Sequence, residues 1–96
     1  MISEFHPAAE IEFEAATRDG IKFGRSVALR LRVETARVVQ LLCDTPNIGE
    51  PVSPMYRRFP LSGFPFAIIY RVDGNVLQVV AFSHQRRRVG YWSRRR

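Results

Sequence analysis

Two periods divide the chain. Up to about residue 45 the apolar positions recur every three or four residues, and beyond about residue 55 they alternate. Phe5, Ala9, Phe13 and Ala16 fall on one side of a helix whose opposite side carries Glu10 and Glu14. His6-Pro7 opens it, because proline suits a first turn that needs no backbone donor, and Asp19-Gly20 is expected to close it. Ala28, Leu31, Thr35, Val38 and Leu42 make a second stripe, widened by Val27, Val39 and Leu41, which predicts a helix from about Gly24 to Asp44. Thr45-Pro46 ends that helix, since the residue before proline is pushed out of the helical region. The two stripes make an antiparallel helical hairpin over about residues 7–45.

Pro46 to Pro54 is turn-like, with Asn47, Gly49, Pro51 and Ser53 between the prolines. Met55 to Leu61, Phe66 to Val72 and Val76 to Phe82 are then rich in aromatic and β-branched residues and read as three strands. Asp73-Gly74 between the last two is the strongest hairpin signal in the chain. Ile2-Ser3-Glu4-Phe5 reads as a short opening strand or an extended arm. The expected fold is α+β: a single domain over residues 1–96, its helix hairpin packed on one face of a small antiparallel sheet formed by a meander over about 55–84, followed by a basic tail over 85–96.

Charge changes the picture more than composition does. Residues 1–50 hold eight acids and six bases, whereas residues 51–96 hold nine arginines and one acid, Asp73. Such a half attracts phosphate backbones or acidic protein partners. The apolar runs, such as Phe64 to Tyr70, are too short to span a membrane, and acids stand where a signal peptide would be basic and then apolar, so a cytoplasmic location without membrane partners is expected. Gly-rich phosphate loops and a Gly-x-Ser-x-Gly elbow are absent, and His6, His84 and Cys43 do not pair at metal-ligand spacing, so no cofactor and no metal are expected. Cys43 reads as a buried structural thiol.

The residues left for chemistry gather in the second half. Arg57 or Arg58, Arg71 and the segment Ser83-His84-Gln85-Arg86-Arg87-Arg88 are expected on the sheet face opposite the helices, as one open, positive surface. His84 reads equally as a hydrogen-bonded strand end or a proton-transfer base. Tyr91 and Trp92 read as anchors of the tail or as platforms on which bases stack, and Arg94 to Arg96 as a solvated tail.

Phe5-His6-Pro7-Ala8-Ala9-Glu10, Arg57-Arg58-Phe59, Phe64-Pro65-Phe66 through Tyr70-Arg71-Val72-Asp73-Gly74, and Val80-Ala81-Phe82-Ser83-His84-Gln85-Arg86-Arg87-Arg88 with Gly90-Tyr91-Trp92 together resemble the RelE/ParE toxin superfamily of type II toxin–antitoxin and plasmid-stabilisation systems. The likeness covers nearly the whole chain, departing at Val89, where many relatives have proline, and at Ala16-Thr17, in place of a tyrosine-rich helix end. It implies a helix hairpin on a small antiparallel sheet, and a growth-inhibiting bacterial toxin held in a hetero-oligomer by a cognate antitoxin. It leaves two targets open. One is DNA gyrase, blocked by binding alone through Arg57, Arg58, Arg71, Arg86, Arg87, Arg88 and Trp92. The other is ribosome-bound mRNA, cut by an endoribonuclease in which His84 or Tyr91 handles protons while Arg58 and Arg86 stabilise charge on the phosphate. A non-toxic basic RNA-binding module is the third reading.

Overall fold

His6 and Pro7 start the first helix by complementary means. Proline needs no hydrogen-bond partner there, and the His6 ring nitrogen Nδ1 accepts from the Ala8 amide at 3.0 Å. In the computed structural model, which describes residues 1–95, helix α1 runs over Pro7–Ile21 and helix α2 over Arg25–Asp44. Arg96, the last residue of the expected tail, lies outside the described residues. Helix α1 does not stop at Asp19-Gly20 as the sequence suggests. Gly20 continues the helix where α1 packs against α2, with a would-be Cβ at ordinary contact distance, 3.5 Å, from the Ala28 backbone. The chain reverses at Gly24 instead, whose φ of 118° and ψ of 149° suit essentially only glycine. Ala28, Leu31, Thr35, Val38 and Leu42, the predicted stripe of α2, are its buried residues.

Strands β1 (Ile2–Phe5), β2 (Glu50–Pro51), β3 (Arg57–Pro60), β4 (Phe66–Asp73) and β5 (Val76–His84) form one sheet in the order β1-β5-β4-β3-β2. The sheet is larger than a three-stranded meander. Residues 2–5 form a strand, pairing parallel with β5 at one edge, and two residues of the turn-like segment pair with β3 at the other. The fold is α+β, two helices on a five-stranded, mostly antiparallel sheet. Among the described residues no helix is long and apolar enough to cross a membrane.

Alternation sorts each strand between two faces. Ile68 and Tyr70 of β4 and Leu77 and Val79 of β5 join Leu31, Val38 and Leu42 in the core beneath the helices. Ile69 points the other way. Between Val79 and Ala81 the register with β4 slips by one residue, a β-bulge at Val80. Both Val80 and Ala81 therefore lie in the cluster away from the helices, and Phe82 returns to the helix side. This second cluster also contains Tyr56 and Trp92: the tail folds back over the sheet and covers part of the face expected to be open.

Candidate functional site

Cross-strand neighbours share a face, so the β3–β4 register decides between the two adjacent arginines. Arg57 stands opposite Tyr70, on the helix side, where Nη1 donates to the carbonyls of Asn47 at 3.1 Å and Gly49 at 2.7 Å. Arg58 stands opposite Ile69, on the far face. Arg71 shares that far face, but its Nε is tied to Gln78 Oε1 at 2.8 Å near the β4–β5 turn.

Beyond β5 the chain makes a tight turn. The Nδ1 of His84 accepts from the Arg86 amide at 3.0 Å and its carbonyl from the Arg87 amide at 2.9 Å, while its ring packs edge-on to Phe66. A cavity of about 500 Å³ opens here on the far face. Tyr56, Ile69 and Trp92 give it apolar walls, and Arg58, His84, Arg87 and Arg88 line the rest. Trp92 is buried and packs edge-on to Tyr56 with 4.9 Å between ring centres. No carboxylate lines the cavity among the described residues, so the arginine field there is uncompensated at short range. Arg86 is exposed beside it. On the helix side of His84 a smaller cavity of about 270 Å³ is bounded by Glu12, Asp19 and Tyr91. His84 thus stands between two hollows, and Arg87 borders both.

The arginines are divided rather than gathered on one open surface: Arg58, Arg87 and Arg88 share the cavity, Arg71 lies farther along the same face, and Arg57 faces the helices. Arg95 does not belong to a solvated tail. Its Nη1 donates to Glu12 Oε1 at 2.7 Å and to the Val80 carbonyl at 3.0 Å, and its Nη2 to Glu12 Oε2 at 3.1 Å. The same carboxylate accepts from the Tyr91 hydroxyl at 2.7 Å and from the Phe82 amide at 3.1 Å. Burial pushes the Glu12 carboxyl up, but the hydrogen bonds from Arg95, Tyr91 and Phe82 outweigh it and hold the group below the usual carboxylate range. Burial, and then the bond to Glu12, pushes the Tyr91 hydroxyl above the ordinary phenol value. The Arg87 guanidinium lies over the Tyr91 ring, 3.9 Å from its centre.

Glu12 and Arg95 were not expected in this site. Their signal was nevertheless present: Glu12 lies three residues after Ala9 and four before Ala16, so a carboxylate interrupts the apolar stripe of α1. Cys43 is a free, half-buried thiol rather than a buried one. Among the described residues no cluster of three or more His, Cys, Asp or Glu side chains has the arrangement of a metal site.

This arrangement meets its family in one comparison: the model of the ParE toxin of the type II toxin–antitoxin system, parDE, matches residues 4–89. The chain belongs to the ParE toxin family. The match takes in both helices, the second half of β1, the other four strands and the His84–Arg88 turn, and ends before Tyr91 and Trp92. Among solved structures, this ParE-family chain is similar to one from a chromosomal ParDE system of P. aeruginosa, with a TM-score of 0.76 at 22 % identity over 88 % of this chain and 95 % of that one. That likeness concerns the fold. No curated protein matches significantly.

Proposed function

We propose that this ParE-type toxin arrests bacterial growth by binding DNA gyrase, without chemistry of its own, and that a cognate acidic antitoxin holds it inactive in a cytoplasmic hetero-oligomer. Arg58, Arg86, Arg87 and Arg88 make the principal contacts around the far-face cavity, with Trp92 as its apolar wall and Arg57 and Arg71 contributing at its margins. The observation that carries this reading is that Tyr91 and one of the two ring nitrogens of His84, the groups able to move protons, are already engaged. The Tyr91 hydroxyl donates to Glu12, whose charge favours keeping that proton on the phenol, and one ring nitrogen of His84 accepts from the Arg86 amide. What stays available is an uncompensated set of guanidinium groups, which suits recognition and steering of an acidic surface.

A second reading, an mRNA endoribonuclease acting on the ribosome, draws on His84 standing beside Arg58 and near Arg86 at the same hollow, with Tyr91 behind it.

Induction of the chain in a bacterium, together with a supercoiling assay on purified protein and gyrase, separates the two. Inhibited supercoiling with intact transcripts is expected, retained at least in part in His84→Ala and weakened in Arg87→Ala combined with Arg88→Ala. Transcripts cleaved by the wild type and spared by His84→Ala or Arg86→Ala overturn the binding reading in favour of the nuclease.

A further inference from the structure

Residues 85–95 contain no helix or strand, yet they cross the sheet in a defined path. Short backbone turns shape this segment locally, but few contacts tie it to the rest of the protein. Trp92 packs on Tyr56, and the Gln85 amide donates to the Pro65 carbonyl at 2.9 Å. The strongest tie is Glu12, whose side chain is only 16 % exposed and receives donors from two places on the tail and one on β5. A carboxylate inserted in an apolar helical stripe is unfavourable unless charged donors meet it, and here Arg95, itself 17 % exposed, meets it with two nitrogens.

We propose that Glu12 is a positioning residue for the toxin's target contact: from α1 it clasps Tyr91 and Arg95 and so sets where the arginines at the far-face cavity stand. The relay is short. Glu12 holds the Tyr91 hydroxyl, the Tyr91 ring supports the Arg87 guanidinium at 3.9 Å, and Arg87 and Arg88 line the cavity. Arg95 grips the same carboxylate while its second bond reaches the Val80 carbonyl, so Trp92, between Tyr91 and Arg95, is pressed into its place on Tyr56. The inference rests on the reading that Arg87 and Arg88 touch the target, but it does not depend on which target that is.

The test uses the full chain and three readouts: acrylamide quenching of Trp92, the only tryptophan; trypsin cleavage after Arg94 and Arg95; and growth arrest on induction. Glu12→Gln keeps the shape of the side chain and removes its charge. Faster quenching and tail cleavage are expected, with about tenfold more protein needed for arrest, the scale of one lost charge-assisted hydrogen bond. Tyr91→Phe, which leaves the ring and the Glu12–Arg95 pair in place, should shift the same readouts in the same direction by less. Glu12→Asp should restore part of both tail protection and arrest, which general destabilisation alone would not produce. Glu10→Gln, on the exposed side of the same helix, should change nothing. The proposal is overturned if Glu12→Gln leaves the tail as protected as in the wild type, if the tail loosens without loss of arrest, or if the wild type causes no arrest. Arrest that depends on Glu12 while gyrase supercoiling is untouched upholds the clasp and removes the gyrase reading.

Discussion

Replacing Tyr70 by Phe tests how the loop beneath the sheet edge is held. Tyr70 is completely buried, and its hydroxyl donates to the Pro46 carbonyl at 2.8 Å and accepts from the Gly49 amide at 2.9 Å. The loop backbone lies almost against the ring: a Cβ on Gly49 would sit 2.8 Å from Cε1 and 2.9 Å from Cζ and would collide with the hydroxyl. Phenylalanine fills the same ring volume, so no large cavity forms and the change isolates the two hydrogen bonds. The buried Gly49 amide loses its partner, a loss of about 1–3 kcal/mol, while the half-buried Pro46 carbonyl costs less because water reaches it. Together these give roughly 2 kcal/mol of destabilisation. For a chain of this size that lowers the melting midpoint by roughly 8–16 °C, readable by circular dichroism. Hydrogen exchange at the Gly49 amide should accelerate more than exchange in β4 and β5. A midpoint that moves by less than about 4 °C, with Gly49 still protected, would refute the reasoning and place the hold on the loop in the Arg57 bonds to Asn47 and Gly49.

Three further outcomes follow from the same geometry. Because Glu12 has a lowered carboxyl value in the folded state, its contribution is present in neutral solution and lost as the pH falls through that folded value; melting midpoints of wild type and Glu12→Gln should converge in acid, and a gap that widens there would contradict the assignment. Gly24→Ala meets open space but an unfavourable backbone, so urea unfolding should report a loss of about 1–3 kcal/mol, in contrast to a negligible change on alanine substitution at an ordinary loop position. Trp92→Ala should cost about 3 kcal/mol by the same measurement, the low end for a buried tryptophan because the tail can partly close the gap; a loss under about 1 kcal/mol would mean that the tail is not packed on Tyr56.

The helical hairpin was legible because its signals are local. The stripe from Ala28 to Leu42 and the Thr45-Pro46 stop coincide with the buried residues and the end of α2. The β4–β5 hairpin was legible for the same reason, with Asp73-Gly74 at its turn. What escaped depends on distant residues. Glu50 and Pro51 carry no strand preference, and they pair because β3 offers a free edge. Gly20 has the composition of a helix stop, yet the helix runs through it where α1 meets α2 at Ala28, and the chain reverses only at Gly24. At the site, the concentration of arginine after residue 50 was evident, but its division between faces was set by pairing register, which composition does not encode. The tail misled because a run of arginines is usually solvated. Its partner, Glu12, lies 83 residues away in the sequence.

The extra residue at Val80 gives β5 two parities. Before it, odd-numbered positions belong to the helix layer; after it, even-numbered ones do. Excising that single valine would therefore leave the company kept by everything downstream unchanged, with Ala81 still opposite Ile69 and Phe82 opposite Ile68, whereas absorbing it into a regular ladder would bring Ser83 toward the helices and send Phe82 and His84 outward. The histidine's place between two hollows is thus a matter of counting along the backbone, and a homologue with an uninterrupted strand would need its aromatic and imidazole one position earlier to build the same corner.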